Sequence, residues 1–541
     1  MNSSPSEIVL ELLKQRGIVD VETFLHPPHP TLLTLETIGF KKEKDDLITL
    51  LEQIKKKKET IVVYTDYDTD GITGGAILWE TLHHLGFTVF PYVPHRQSEG
   101  YGFSKKGIDN AIQKYHPSLF ISVDHGISAR KEIDYIVSKE IPVIVTDHHT
   151  KPNDPPTSAH ALFHFPAVSG AGVAYLVSQD IARHFKMEQV LFDKLFSVDL
   201  LALASLGIVA DLVPLVGYAR QIAYHGLKAF NKSSKPGIKA LLKVAGLDES
   251  VTLSPYHLGF ALAPRINAVG RLSHAIDALR MLCTTNSLRA DELARSANQH
   301  NGSRQRMVEE AVKQALLMFD PSHLPRILIA ENTLWNEGII GLIASKLTEE
   351  YYLPSIVLTK AENGWKASAR SISGFDIIAF LRSLNLLEHL GGHPQAAGFS
   401  VSDEQKDVLI SAIHERSKTV PAYAEKSLRV DLTLPLSLAT QALAEELEKC
   451  EPFGIGNPKP VFQSTGVIQK VDTMGKTKEH VRLTLSDESN PQAQLECVYF
   501  SPKKDQMSLM QSGAHVTFAY SLEKQTWKGR TTTKGFVKHI S

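Results

Sequence analysis

Three apolar runs of this 541-residue chain end abruptly in acids or histidines. The run at 60–64 leads into Asp66, Asp68, Asp70 and Gly71; the run at 118–123 leads into Asp124-His125-Gly126; the run at 142–146 leads into Asp147-His148-His149. A fourth stretch, 207–215, carries Asp211 among apolar neighbours. Carboxylates gathered at one place repel unless cations lie between them. Carboxylate and imidazole ligands together suit hard divalent ions such as Mn2+ or Mg2+. Two such ions about 3.5–4 Å apart would clamp a phosphate and activate a water for in-line attack. Taken singly, Asp66, Asp68 or Asp70 reads as an acidic turn capping the helix that follows. A DxDxD loop alone could also bind calcium. The histidines and the missing Glu at EF-hand spacing favour the catalytic-ion reading.

The surrounding pattern supplies elements that would bring these groups together. Residues 60–64, 87–93, 118–123 and 142–146 read as strands, with helical stretches at 72–86, 105–116 and 129–140 between them. Strands alternating with helices argue for a parallel sheet, and such sheets bind ligands at the carboxyl ends of their strands. The acids should therefore meet at one rim. Helices are predicted at 6–17 and 41–59, and residues 170–230 and 238–320 read as mostly helical, joined by a polar linker at 231–237. Strands at 326–330 and 355–359, with helices at 339–351 and 375–388, predict a second α/β unit. After about residue 430, short alternating runs predict a small β-barrel. The predicted organisation is an N-terminal segment 1–45, an α/β domain 46–230, a helical connector 231–320, a second α/β domain 321–425 and a β domain 426–541.

Composition excludes several classes. Apolar residues make up 43% and charged residues 22%, which fits globular domains rather than disorder. The longest uncharged apolar run, Leu200 to Ala210, is too short for a membrane span of about 20 residues. The N-terminus has no basic start followed by an apolar stretch, so a secretory signal is not expected. Three scattered cysteines fit a reducing cytoplasm and argue against a disulfide framework. The net charge is −1, but from Lys459 onward there are 12 Lys and Arg against 7 Asp and Glu. That local excess is a modest nucleic-acid footprint.

DYDTDG (66–71), VDHGI (123–127), TDHH (146–149) and VADLVPL (209–215) resemble the four motifs of the DHH phosphoesterase superfamily. EGYGF (99–103), APRINAVGRL (263–272), WNEGIIGLIASKL (335–347), SARSISGFD (368–376), GGHPQAAGF (391–399) and PFGIGNPKPVF (452–462) extend the likeness along nearly the whole chain. They point to the branch of bacterial single-strand-specific DNA exonucleases. The resemblance implies a DHH domain and a DHHA1 domain joined by a long helical connector, followed by an OB-fold barrel. It implies that Asp68, helped by Asp66, binds one ion. Asp70, His148 and Asp211 would bind the other, and Asp124 would bridge the two. His149 would touch the phosphate or donate a proton, and Asp147 would orient the histidines. Arg265, Asn267, Arg271, Ser368, Arg370, Ser371, Gly391, Gly392 and His393 would hold the substrate. Their types suit that role, since an Arg fork grips phosphate and Gly-rich backbone can cradle it. Asn336 departs from the pattern, standing where relatives usually carry His, as does QTWKG at 525–529.

The activity implied is a metal-dependent 5′→3′ exonuclease that degrades single-stranded DNA to 5′-mononucleotides. Its context would be repair and recombination in the cytoplasm, with a single-strand-binding protein and a helicase as partners. Two rivals remain. One is a DHH phosphodiesterase of oligoribonucleotides or cyclic dinucleotides, against which PFGIGNPKPVF argues. The other is a non-catalytic single-strand-binding protein on the same fold, against which the intact acids argue.

Overall fold

A computed structural model describes residues 6–96, 98–248, 250–362, 364–387, 390–421, 423, 427–475, 478–527 and 530–541, with 504, 526, 527 and 530 described by their backbone. The first sheet contains β1 (Thr60–Thr65), β2 (Thr88–Tyr92), β3 (Leu119–Val123), β4 (Val143–Asp147) and β5 (Ala161–His164). All pairs are parallel, in the order β2-β1-β3-β4-β5. Alternate residues face opposite ways along a strand. Ile61 and Val63 therefore pack with the helices Thr69–His84 and Gly170–His184, while Val62 and Tyr64 pack with Lys105–Tyr115 and Arg130–Val137. Burial on both faces explains why these strands are near-continuous Val/Ile runs. The edge strand β5 has four residues and no sequence signal. The helix expected at 72–86 starts earlier, at Thr69, because Asp68 caps it.

The apolar run Leu200–Ala210 is a helix buried on every side, which is why it shows no polar face. The polar segment 231–237 is not a solvated linker. Ser233 donates to Asp199 at 2.6 Å, and Lys235 pairs with buried Glu80, both inside the first domain. The helix Ser287–Leu316 has 30 residues, about 45 Å of rise. Its first turns join the core of the first domain, and Ala311 and Ala315 join that of the second.

The second sheet holds β6 (Leu328–Glu331), β7 (Ser355–Ala361), β8 (Gly364–Arg370), β9 (Leu390–His393) and β10 (Ala396–Val401), ordered β6-β7-β8-β10-β9. Only β6 and β7 pair in parallel. Three of these strands were not expected, and the helix predicted at 375–388 shrinks to Ile377–Arg382. Gly391, Gly392 and His393 lie on edge strand β9 rather than in a turn.

The third sheet holds β11 (Leu432–Thr433), β12 (Phe462–Met474), β13 (His480–Ser486), β14 (Gln494–Tyr499), β15 (His515–Trp527) and β16 (Arg530–Ile540). Pairing of β12 with β15 closes it into a barrel. The helices Glu7–Gln15 and Val21–Leu25 join this barrel's core through Val9, Leu12, Leu13, Phe24 and Leu25. Leu35, by contrast, packs into the first domain, so the first 45 residues divide between two cores. Among the described residues, no helix is long and apolar enough to cross a membrane.

Candidate metal centre

The carboxyl ends of β1, β3 and β4 open onto one rim, and the motif acids meet there. Asp68 does what a lone acid would do: its Oδ1 accepts from the backbone N–H of Asp70 (2.9 Å) and Gly71 (3.1 Å) and caps the helix Thr69–His84. The capping and metal readings are therefore compatible, since Asp68 also lies in a cluster with Asp66 and Asp124. Gly71 lets the loop close, because a Cβ there would sit 2.7 Å from the Asp66 backbone oxygen. Asp70 points the other way, toward the start of the helix Gly170–His184. It accepts from Ser169 Oγ (2.7 Å), Gly170 N (2.7 Å) and Ala171 N (3.0 Å). A helix N-terminus favours a carboxylate. Asp124 follows β3 with φ +67°, a left-handed conformation that Asp tolerates better than most side chains.

His148 Nε2 stands 3.2 Å from Asp124 Oδ1, 3.3 Å from Asp211 Oδ2 and 3.8 Å from Asp70 Oδ2. Asp147 lies behind the histidines. Its carboxylate accepts from the backbone N–H of Ile127, His148 and His149, and from His149 Nδ1 at 2.8 Å. Tyr101 OH is 3.4 Å from His149 Nε2 and from the Asp124 carbonyl oxygen. His125 is a core residue, its Nε2 3.0 Å from the Tyr64 carbonyl, and burial pulls it down to about 4.

The electrostatics follow from crowding. Burial, then the charges of Asp70 and Asp68, push Asp124 far above the ordinary carboxylate range. Burial and Asp68 push Asp66 up in the same way, and burial with the Asp70 and Asp68 charges pushes Asp211 up to about 8. Burial also pulls His148 down. Asp147 and His149 behave differently. Burial opposes ionisation of both, but their mutual hydrogen bond and charge outweigh it, leaving Asp147 at about 2 and His149 at about 9.

Two atoms at the centre, Asp124 Oδ1 and His148 Nε2, are buried with no hydrogen-bond partner among the described residues. Unpaired buried polar atoms are costly and call for a partner. Ligand atoms gather in three overlapping groups: Asp66, Asp68 and Asp124; Asp70, His148 and Asp211; Asp124, His148 and His149. An oxygen-rich donor set with one or two imidazoles fits divalent ions. Asp124 is shared between the first group and the third, as a bridging ligand would be.

Beside this rim, with Tyr101 in its wall, a cleft of about 1210 Å³ lies between the first domain and the second. Arg271, Ser368, Arg370 and Gly391 line it, as do Arg96, Tyr101 and Lys366. Arg271 donates to the Gly338 carbonyl at 2.6 Å; burial and the cations of Arg96 and Arg304 pull its guanidinium down to about 10. Glu99 and Glu337 also line the cleft, and Lys366 pairs with Glu337 at 2.7 Å. Arg370 Nη1 donates to Ser368 Oγ at 3.1 Å.

The other expected contacts also make hydrogen bonds within the protein. Asn267 Oδ1 accepts from Thr69 N (2.8 Å) and Thr69 Oγ1 (2.9 Å), so it steadies the metal loop. Arg265 donates to Asn298 and to the Val244 and Ala261 carbonyls, joining helices. Ser371 Oγ donates to the Phe375 carbonyl at 2.6 Å. Gly392, at φ +138°, packs against the Ala396 backbone, and His393 accepts from Gln395 N at 3.3 Å. Arg96, over the Tyr67 ring at 5.0 Å, and Lys366 were missed by sequence reasoning. Nearness of Arg96 to EGYGF was the one available signal. Ser169, which holds Asp70, had none beyond its place before a helix.

Comparison with known proteins agrees in order and extent. Residues 60–208 match the DHH family N-terminal domain, 325–419 the DHHA1 domain and 430–539 the RecJ OB domain. The chain is 33% identical over 98% of its length to the single-stranded-DNA-specific exonuclease RecJ of Bacillus subtilis, spanning 67% of that protein. It is 32% identical over 77% of its length to RecJ of Escherichia coli, spanning 76% of that protein. The crystal structure of Thermus thermophilus RecJ in complex with Mn2+ superposes with a TM-score of 0.82 at 26% identity, over 98% of this chain and 75% of that one. The chain thus spans about two thirds to three quarters of these relatives. Three domain matches in one order, and a third of positions shared with the Bacillus subtilis protein along 98% of this chain, make this chain a member of the RecJ family of single-stranded-DNA-specific exonucleases.

Proposed function

We propose that the chain is a divalent-metal-dependent nuclease that removes 5′-mononucleotides from the 5′ end of single-stranded DNA. The observation that carries this reading is the buried cluster in which His148 Nε2 and Asp124 Oδ1, 3.2 Å apart, have no hydrogen-bond partner among the described residues. Asp66, Asp68 and Asp124 would hold one Mn2+ or Mg2+, and Asp70, His148 and Asp211 the other, with Asp124 shared. When bound, the ions supply the charge that draws phosphate in and activates water for in-line attack. Solved RecJ structures that carry Mn2+ or Mg2+ support this ion choice.

The chain's own groups do the rest. His149, its Nδ1 bonded to Asp147, would present Nε2 to a phosphate oxygen. Arg370 and Ser368 grip the backbone from the facing domain, and Arg271 and Arg96 close the near side. Tyr101 offers its ring beside the metal rim. The basic C-terminal barrel would track the rest of the strand, as OB-folds do with single strands. Repair and recombination in the cytoplasm, beside a single-strand-binding protein and a helicase, is the proposed setting.

The test is Mn2+-dependent digestion of one single-stranded oligonucleotide labelled at either end, beside its duplex. Early release of the 5′ label as a mononucleotide, from the single strand alone, is expected. Early loss of the 3′ label would overturn the polarity. Binding without cleavage would move the assignment to a non-catalytic single-strand binder, and cleavage confined to very short oligonucleotides to a small-substrate phosphodiesterase.

A further inference from the structure

The PFGIGNP segment (452–458) belongs to the C-terminal domain, yet it closes on the loop that carries Asp211. Asp211 ends the helix Leu200–Ala210, and the turn after it is a Schellman motif: Leu212 N donates to the Val209 carbonyl and Val213 N to the Ile208 carbonyl, both at 3.3 Å. That motif needs a left-handed residue, usually Gly. Here it is Leu212, at φ +59° and 66% exposed, so its own side chain gains little from the arrangement. A non-Gly residue persists in this conformation when its surroundings impose it. The next residues show what imposes it. Leu215 N donates to the Ile455 carbonyl at 2.7 Å. A Cβ on Gly454 would come 2.7 Å from Leu215 Cδ1, and one on Gly456 2.8 Å from Pro214 Cβ. The two backbones are in contact because PFGIGNP has glycine at both positions.

The segment is itself held rigidly from behind. Arg220, 2% exposed, donates to the carbonyls of Glu451 (2.8 Å), Pro452 (3.4 Å) and Phe24 (3.0 Å). Asn457 Nδ2 donates to the Cys450 and Pro452 carbonyls, and its Oδ1 accepts from Arg16 at 2.9 Å.

We propose that PFGIGNP is a positioning device for Asp211, so that the C-terminal domain sets the geometry of a metal ligand in the first domain. The inference rests on the proposed metal role of Asp211. A ligand held by a second domain gives the enzyme full ion affinity when the barrel that tracks the strand is docked.

Two glycine variants of the full chain separate this from a general loss of stability. Gly456 has φ +75° and Gly513 has φ +86°, so alanine strains the backbone in both; at Gly513 nothing lies within 4 Å, whereas at Gly456 the new Cβ presses on Pro214. Free Mn2+ would be followed by electron paramagnetic resonance during titration. Gly456→Ala is expected to weaken Mn2+ binding about tenfold, with KM for DNA unchanged and kcat recovered at high Mn2+. Gly513→Ala should bind Mn2+ as the unaltered protein does. Equal affinities in the two variants would overturn the proposal. If Gly456→Ala fails to fold, Gly454→Ala replaces it, and Leu215→Val in the same chain, which removes Cδ1, should restore affinity. Unaltered Mn2+ binding in Gly454→Ala would count against the device. Absence of Mn2+ binding in the unaltered protein would instead remove the metal reading itself.

Discussion

Asp124 has both a strained backbone and an unpaired buried oxygen, at φ +67° and among four other carboxylates, Asp66, Asp68, Asp70 and Asp211. Without ions this charge is a cost to the fold. Asp124→Asn keeps the shape and tolerates the left-handed backbone. It should abolish cleavage, by about 1000-fold or more, while raising the stability of the ion-free protein by about 1–2 kcal/mol. Thermal melts with and without Mn2+ test both parts. Mn2+ at about a hundred times its dissociation constant should stabilise the unaltered protein by about 2.7 kcal/mol and the variant much less. Cleavage at the normal rate by Asp124→Asn would contradict a bridging role.

The same crowding gives a pH dependence with a definite sign. Asp211 is pushed up to about 8 by burial and by Asp70 and Asp68, against an ordinary value of 3.8. A carboxyl whose folded pKa is raised contributes stability fully below its unfolded pKa and loses it as pH rises through the folded value. The ion-free protein should therefore lose stability between about pH 4 and 8. Over that window Mn2+ affinity should rise, because ligands must be deprotonated, and binding should release protons. Calorimetric titration in buffers of different ionisation enthalpy measures that release. No buffer dependence at pH 7 would count against the shift.

At the scale of elements, the strand ends were legible because strand, loop acid and helix cap are neighbours in sequence. TIVVY followed by DYDTDG specifies β1, the Asp68 cap and the direction of the following helix using local information alone. Elements made by distant partners were not legible. Strand β8 pairs with β10 across the helix Ile377–Arg382, and Gly391-Gly392, which reads as Gly-rich backbone, is made a strand by its pairing with β10. The segment 231–237 looked like a linker because its polar residues have partners, Asp199 and Glu80, that only the fold supplies. The site shows the same division. Asp66, Asp70, Asp124, His148 and Asp211 announce themselves by type and place. Arg265 and Ser371 have the right types but are spent on local carbonyls. Removing one member of the buried Lys235–Glu80 pair leaves a charge without its partner. Lys235→Met should cost about 3–5 kcal/mol, and urea unfolding followed by circular dichroism would measure it. An unchanged midpoint would mean the pair is not buried as described.

Across the whole molecule, a net charge of −1 conceals an acid-rich rim and a basic excess from Lys459 onward, where 12 Lys and Arg stand against 7 Asp and Glu. The chain's two ends also meet: Arg16 bonds Asp431 at 3.1 Å with both side chains nearly buried, and it reaches Asn457 and Pro458. Deleting the barrel would therefore uncover Val9, Leu12, Phe24 and Leu25 and free the Asp211 loop. Loss of activity on deletion would not by itself identify a DNA-binding role. A finer cut is Arg16→Ala, which should loosen the N-terminal helices and speed their proteolytic release while leaving first-domain hydrogen exchange unchanged. Equal protection of residues 6–25 in both proteins would show that the apolar contacts alone hold the clasp.

Asp66, Asp68, Asp70, Asp124, His148 and Asp211 would hold two ions that share Asp124. An anomalous difference map from crystals soaked in Mn2+ tests it most directly. Two peaks are expected at the carboxyl ends of β1, β3 and β4, one among Asp66, Asp68 and Asp124 and one among Asp70, His148 and Asp211, with Asp124 touching both. One peak, or two that do not share Asp124, would contradict it.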